Sequence, residues 1–135
     1  MTDEEFYTPV ETRQCKMVFP GTLNANGTLF GGEMLKWMDE VAFITATRVT
    51  RQKMFTAKVK EIEFIEPVYE NSIVEVVGNL KNAGPVKLEI SVSVYAESLY
   101  EPDRLKAAEA VFVMAALDEN NKVRRLSYPA LTEIF

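Results

Sequence analysis

Between Val86 and Ala96 the chain alternates without a fault. Val86, Leu88, Ile90, Val92, Val94 and Ala96 are apolar, and Lys87, Glu89, Ser91, Ser93 and Tyr95 stand between them. A period of two marks a strand with one face on a core and the other in water. SIVEVVGNL (72–80) reads as a second strand. AAEAVFVMAALD (107–118) is apolar on both parities, which predicts a strand central to its sheet. In FTAKVKEIEFIEPV, Phe55, Ala57 and Val59 alternate, then Ile62 and Phe64 continue on the other parity. That slip predicts a bulge near Lys60–Glu61, and Pro67 closes the strand. PVETRQCKMVF (9–19) predicts a first strand, and VRRL, after the turn DENNK, a last short one. ESLYEPDRLK (97–106) predicts a long loop.

One segment breaks the period of two. After the turn-rich FPGTLNANGT, residues 33–48 predict a helix in which Met34, Leu35, Trp37, Met38, Val41, Ala42, Phe43, Ile44 and Ala46 cover almost the whole circumference. Such a helix is buried rather than laid on a surface. The order is strand, helix, then about four strands with no further helices, so crossover connections for a parallel sheet are missing. The expected fold is α+β: an antiparallel sheet curled around one long central helix, in a single domain over residues 1–135.

Composition narrows the function. Fifteen basic and twenty acidic residues give a net charge of −5, which argues against nucleic acid as a partner. The acidic start, MTDEEFYTP, has no apolar signal core and no segment reaches membrane-spanning length, so a cytoplasmic protein without membrane insertion is expected. Cys15 is the single cysteine, so intramolecular disulfides and cysteine-cluster metal sites are excluded. There is no histidine, which closes every mechanism in which this chain supplies an imidazole. Nor is there a G-x-S-x-G elbow or a phosphate-loop or dinucleotide glycine pattern.

What remains is a carboxylate, a carboxamide and a helix N-terminus. The first helical turn presents unpaired backbone N–H groups, and Gly31-Gly32 would let a carbonyl approach them with no Cβ in the way. One such donor stabilises an oxyanion by about 2.7–4 kcal/mol. Asp39 follows Gly32 by seven residues, roughly 10 Å along the helix axis. One chain's helix does not readily present both groups to one reaction centre, whereas two helices side by side in a symmetric dimer would. Plainer readings stand beside this one. Gly31-Gly32 also suits a simple loop-to-helix junction, Asn24 and Asn26 an Asx turn, and Asp39-Glu40 a solvated helix edge. Lys58 and Lys60 suit the polar face of a strand. The pattern alone leaves the function open.

The run NANGTLFGG (24–32), followed by LKWMDEVA (35–42), resembles the hotdog-fold acyl-CoA thioesterases, in particular the YciA-like and brain-type cytosolic acyl-CoA hydrolases. FPGTLNANG, VKEIEFIEPV and AVFVMAALDENNK follow the family's order over about residues 18–122. The resemblance implies hydrolysis of acyl-CoA to free acid and CoA without a cofactor, CoA being part of the substrate. It implies a homodimer with a continuous sheet that completes the active site, and often a hexamer built as a trimer of dimers. The family's catalytic asparagine and aspartate fall on Asn24 and Asp39, contributed by different subunits, with the carbonyl-polarising amide at Gly31 or Gly32. Asp39 would be general base or nucleophile, and Asn24 would orient water or the thioester.

Departures fall at the nucleotide end. Relatives often have Gly-Asp where this chain has Asn71-Ser72, Gly-Arg-Thr-Ser at Gly84-Pro85-Val86-Lys87, and an aspartate at Lys60. Lys58, Lys60, Gly84 and Lys87 are therefore the candidates for CoA binding, with Lys81, Arg124 and Arg125 as further cations. The rewritten turn also admits a second expectation, a non-catalytic hotdog protein that binds acyl-CoA or a related acyl ligand.

Overall fold

The computed structural model describes residues 10–129 and 131. The acidic start (1–9), the first residue of the predicted opening strand and most of the C-terminal tail lie outside the described residues. The elements are β1 (Glu11–Met17), α1 (Gly31–Thr50), β2 (Lys53–Phe64), β3 (Ser72–Ala83), β4 (Lys87–Ser98), β5 (Arg104–Leu117) and β6 (Val123–Arg124). A 3-10 turn, Pro20–Thr22, follows β1. All strand pairs are antiparallel, in the order β1-β3-β4-β5-β2, with β6 alongside β5.

From Lys87 the alternation becomes β4, whose Leu88, Ile90, Val92 and Val94 are fully buried against α1, whereas Val86 lies before the strand and is exposed. β5 lies inside the sheet between β4 and β2, as its two-sided apolar pattern requires; residues 110–116 are all buried. The predicted loop at 97–106 is shorter than expected. Tyr95, Ala96 and Glu97 pair with Lys106, Leu105 and Arg104, so the polar composition hid the stem of a hairpin.

α1 lies across β1 to β5 on one face of the sheet. Its approach to β3 depends on Gly78, where a Cβ would stand 2.8 Å from Val41 Cγ1 and 2.9 Å from Thr45 Oγ1. The buried Thr45 and Thr50 hydroxyls donate to the carbonyls of Val41 and Ala46, each at 2.8 Å, so neither is an unpaired polar group in the core. The helix is not covered all round by this chain. Met34, Trp37, Met38, Val41, Ala42, Ala46 and Val49 are buried, but Phe43 and Ile44 are exposed on the opposite side. Hydrophobicity around a helix counts apolar side chains without saying what covers them.

β2 carries two register shifts where the sequence suggested one. The shift between Lys60 and Glu63, with Glu61 at φ 56°, is the expected bulge. The other, between Thr56 and Lys58, leaves Ala57 unpaired. Thr56 is paired with Met114 and Val59 with Phe112, both core residues of β5, so the extra residue turns Thr56 and Val59 to the same, helix-facing side.

Candidate active site

Two glycines open α1, with Phe30 as the N-cap residue. The segment before the helix is tied down by Leu29 N–H donating to Val68 O at 2.8 Å and Phe30 N–H to Thr22 O at 3.0 Å. A Cβ on Gly31 would lie 3.3 Å from the tip of the Phe64 ring, whereas one on Gly32 would meet nothing within 4 Å. Gly31 lines a cavity of about 290 Å³ with Thr28, Met34, Phe64, Ile65 and Pro67.

Asp39 lies two turns further along α1, on its exposed side. Its Oδ1 accepts a 2.5 Å hydrogen bond from Thr56 Oγ1, the hydroxyl that the bulge at Ala57 turns toward the helix. An O–H···O⁻ bond of that length is a strong charge-assisted one. Both residues line a groove of about 290 Å³ between α1 and β2, with Leu35, Val59 and Ile62 as apolar walls, Phe112 of β5 as floor and Lys36 beside Asp39. Phe112 is 1% exposed, so the floor is part of the core.

Asn24 is differently employed. Its Oδ1 accepts from Asn26 N at 2.8 Å and Thr28 N at 3.2 Å, and its Nδ2 donates to Thr28 Oγ1 at 2.9 Å. The carboxamide thus closes an Asx-type turn, with Gly27 at φ 76° completing it. Asn24 is not among the residues lining the Asp39 groove.

The basic candidates lie on the other face of the sheet. Lys58 and Lys60 pair with Val113 and Val111, and Lys87 with Ala115, all alternate to the helix-facing Phe112 and Met114. Lys60 is held by Glu89 in an ion pair at 3.0 Å, and this bond keeps the Glu89 carboxyl below its usual range. Among the described residues neither Lys58 nor Lys87 forms an ion pair. Gly84 is required by its turn: a Cβ there would fall 2.5 Å from Lys87 O, and its own carbonyl accepts a 2.5 Å bond from Tyr128 Oη. Further along that face, Glu75 binds Arg104 at 2.6 Å and Arg13 at 3.1 Å, which lowers its pKa chiefly through the Arg104 hydrogen bond. Burial, then Glu75, raises the Cys15 thiol above its usual range, which disfavours the thiolate form.

Sequence reasoning did not find Thr56. The apolar spacing of Phe55, Ala57 and Val59 sets it on the opposite face from Val59, and no polar signal marks the unpaired Ala57. Among the described residues there is no group of three or more histidine, cysteine or carboxylate side chains that could hold a metal ion, and no helix long and apolar enough to cross a membrane.

Comparison with known proteins places this arrangement. The thioesterase superfamily profile matches residues 26–102, more than half of the chain. The acyl-CoA thioester hydrolase YciA of Salmonella typhimurium is 30% identical over 113 residues, 82% of this chain and 85% of YciA. An apo-hexameric acyl-CoA thioesterase superposes with a TM-score of 0.85 at 28% identity, covering 89% of this chain and 77% of that one. The Staphylococcus aureus acyl-CoA hydrolase, solved with butyryl coenzyme A, coenzyme A and coenzyme A disulfide, gives a TM-score of 0.83 at 25% identity over 89% and 73% of the two chains. A long helix laid on an antiparallel sheet, over this span of similarity, identifies the chain as a hotdog-fold member of the thioesterase superfamily.

Proposed function

We infer that the protein hydrolyses acyl-CoA thioesters to free acid and CoA, with no cofactor, and that it does so as a homodimer in the cytoplasm. The observation that carries this reading is the Asp39 carboxylate, oriented by Thr56 through Oδ1 at the edge of an apolar groove. A carboxylate is sufficient because thiolate is a good leaving group that needs little acid assistance. As general base, Asp39 takes a proton from water as the water oxygen attacks the thioester carbon. The oxyanion is received by backbone N–H groups at Gly31 or Gly32, and the tetrahedral intermediate expels the CoA thiolate, which recovers the proton from Asp39. As nucleophile, Asp39 would instead form a mixed anhydride that water then cleaves.

About 10 Å of helix separates Asp39 from the glycines of its own chain. The dimer answers this by bringing Asp39 of one subunit to the glycine turn and Asn24 of the other. The exposed Phe43 and Ile44 of α1 suit contact with a second helix, and the hexameric state of a similar thioesterase suits assembly of such dimers. The CoA phosphates would be met by Lys58, Lys60, Lys87 and the Gly84 turn across subunits, since these face away from the groove of their own chain. Release of free thiol from acyl-CoAs, run beside Asp39→Asn, tests the reading. Turnover lost in the variant supports it, and unchanged turnover removes Asp39 from the chemistry. Acyl-CoA binding without any turnover would favour the non-catalytic alternative, to which the committed Asn24 carboxamide lends some weight.

A further inference from the structure

Opposite ends of the sheet carry opposite charge. Where the β2–β3 connection meets the β4–β5 hairpin, an open cleft of about 340 Å³ is lined by apolar Tyr69, Ala96 and Leu105 and by Glu66, Glu97 and Asp103. Glu70 and Glu101 stand exposed in the same two connections. The neighbouring cation, Arg104, is turned away: it binds Glu75 at 2.6 Å and lies 4.3 Å from the Tyr95 ring centroid. Tyr69 and Leu105 are 59% and 47% exposed, so apolar surface lies uncovered beside the carboxylates.

At the other end, Lys122-Val123-Arg124-Arg125 leaves the DENNK turn and runs along the end of β5, with Val123 opposite Leu117 and Arg124 opposite Ala116. Gln52 clamps this run: its side-chain amide donates to Arg125 O at 3.1 Å and accepts from Ser127 N at 3.0 Å. Leu126 N–H donates to Pro85 O at 2.8 Å. Val123 is 54% exposed between two cations. Lys53, opposite Leu117 on β2, adds a further cation to this end. Of the two carboxylates in the preceding turn, Asp118 is used to hold it, accepting from Asn120 N at 2.8 Å and Lys122 N at 3.0 Å. Between the two ends, Lys60, Lys81 and Lys106 are paired with Glu89, Glu61 and Glu109. Among the described residues Lys122, Arg124 and Arg125 form no ion pair.

We propose that these two ends are the halves of one interface between copies of this chain. Val123 of one copy enters the apolar lining of its neighbour's cleft, and Arg124 and Arg125 meet Glu66 and Asp103 there. Leu117, beside Val123, and Leu105, in the cleft, are twelve residues apart on β5, roughly 40 Å at the rise of a strand. A chain therefore cannot bring its own basic run to its own cleft. Because the two surfaces differ, the contact is heterologous: it passes from copy to copy and stops only where a ring closes. That separates it from the side-by-side helix contact inferred for the dimer, and it would join dimers to one another. Exposed ion pairs are individually weak and screened by salt, so the contact needs several of them together. The Gln52 clamp helps by holding the run extended before contact, which lowers the ordering cost.

The test is molar mass by sedimentation velocity, from about 50 mM to about 1 M sodium chloride. The wild type should sediment as a species larger than a dimer at low salt and no larger than a dimer at high salt. Arg124→Glu with Arg125→Glu, and separately Glu66→Lys with Asp103→Lys, set like charges across the contact and should each lose the larger species at low salt. A chain carrying all four substitutions has complementary ends again and should regain it. All four residues are exposed, so the substitutions spare the core, and thermal unfolding checks that each variant folds. A wild type no larger than a dimer at low salt overturns the proposal and leaves the basic end to another anionic partner. A larger species that survives either reversal, or that the chain with all four substitutions does not regain, overturns it equally. Turnover does not enter the readout, so failure of the thioesterase reading would leave this test intact.

Discussion

The two candidate catalytic side chains differ in how much of their hydrogen-bonding capacity the fold has already used. Asn24 spends both ends of its carboxamide on its own turn, in three bonds to Asn26 and Thr28. Asp39 accepts one side-chain bond, from Thr56, and stands exposed at the edge of a groove. A polar residue that is locally satisfied has a sufficient structural reason to be there. A charged residue placed against an apolar groove and held by one well-directed donor does not, and its reason is sought in chemistry. The glycines divide in the same way. Gly31 is hemmed in by Phe64, whereas Gly32 faces open space and adopts an ordinary helical conformation that any residue accepts.

The largest effect belongs to the side chain the fold uses least. Asp39→Asn retains an acceptor for Thr56 and should leave the thermal unfolding curve nearly unchanged while kcat falls about 10²–10⁴-fold, the usual weight of a positioned acid or base. Wild-type kcat would place Asp39 at a solvated helix edge and nothing more. Asn24 then divides turn from chemistry. Asn24→Ala removes all three side-chain bonds and should cost about 1–3 kcal/mol of stability, which denaturant unfolding reads. Asn24→Asp keeps both acceptor bonds to Asn26 and Thr28, so it should fold like the wild type and yet lose about tenfold or more in kcat, roughly 1.4 kcal/mol or more of barrier. Full turnover in Asn24→Asp would reduce Asn24 to its structural role.

Thr56 sharpens the same contrast from the strand side. A hydrogen bond to a charged group is worth about 1.5–3 kcal/mol, so Thr56→Val should lower kcat by about 10–100-fold with KM little changed, and Thr56→Ser should restore most of it. If valine and serine behave alike, the hydroxyl does not orient Asp39. Gly32→Ala is a smaller probe. Replacing glycine within a helix should raise stability by up to about 1 kcal/mol, and a several-fold loss of kcat/KM beside that gain would locate a ligand or a second subunit at the open space. Equal activity would make Gly32 a plain junction residue.

The smallest effect lies on the far face of the sheet and concerns stability alone. Arg104 and Arg13 hold the Glu75 carboxyl below its ordinary range, so the folded state favours the charged form. That contribution is present above the unfolded carboxylate value, about 4.3, and is lost as pH falls through the lowered folded value. The difference in Tm between wild type and Glu75→Gln should therefore shrink from pH 7 to pH 3, within about 1 kcal/mol for a pair this close to solvent. A gap that stays constant would mean that Glu75 contributes through packing rather than charge.

Much of this molecule follows from one-dimensional pattern. The period of two from Leu88 to Ala96, the two-sided apolar run of β5 and the break of parity near Lys60 each reached the structure, while Val86 fell before the strand and is exposed; strand faces and burial are encoded by spacing along one segment. Composition removed imidazole chemistry and cysteine-cluster metal sites, and the spacing of Asp39 from Gly31-Gly32 led to the expectation of two helices at one reaction centre. Tertiary structure decided the rest. Pairing with Met114 and Phe112 left Ala57 out of register, and that single unpaired residue aims Thr56 at Asp39. The same pairing put Lys58, Lys60 and Lys87 on the face away from the groove, closed that groove with Phe112, and left Phe43 and Ile44 uncovered. Which side a residue faces after a bulge, and what lies opposite it, depends on a partner strand some fifty residues away, and no local spacing carries that information.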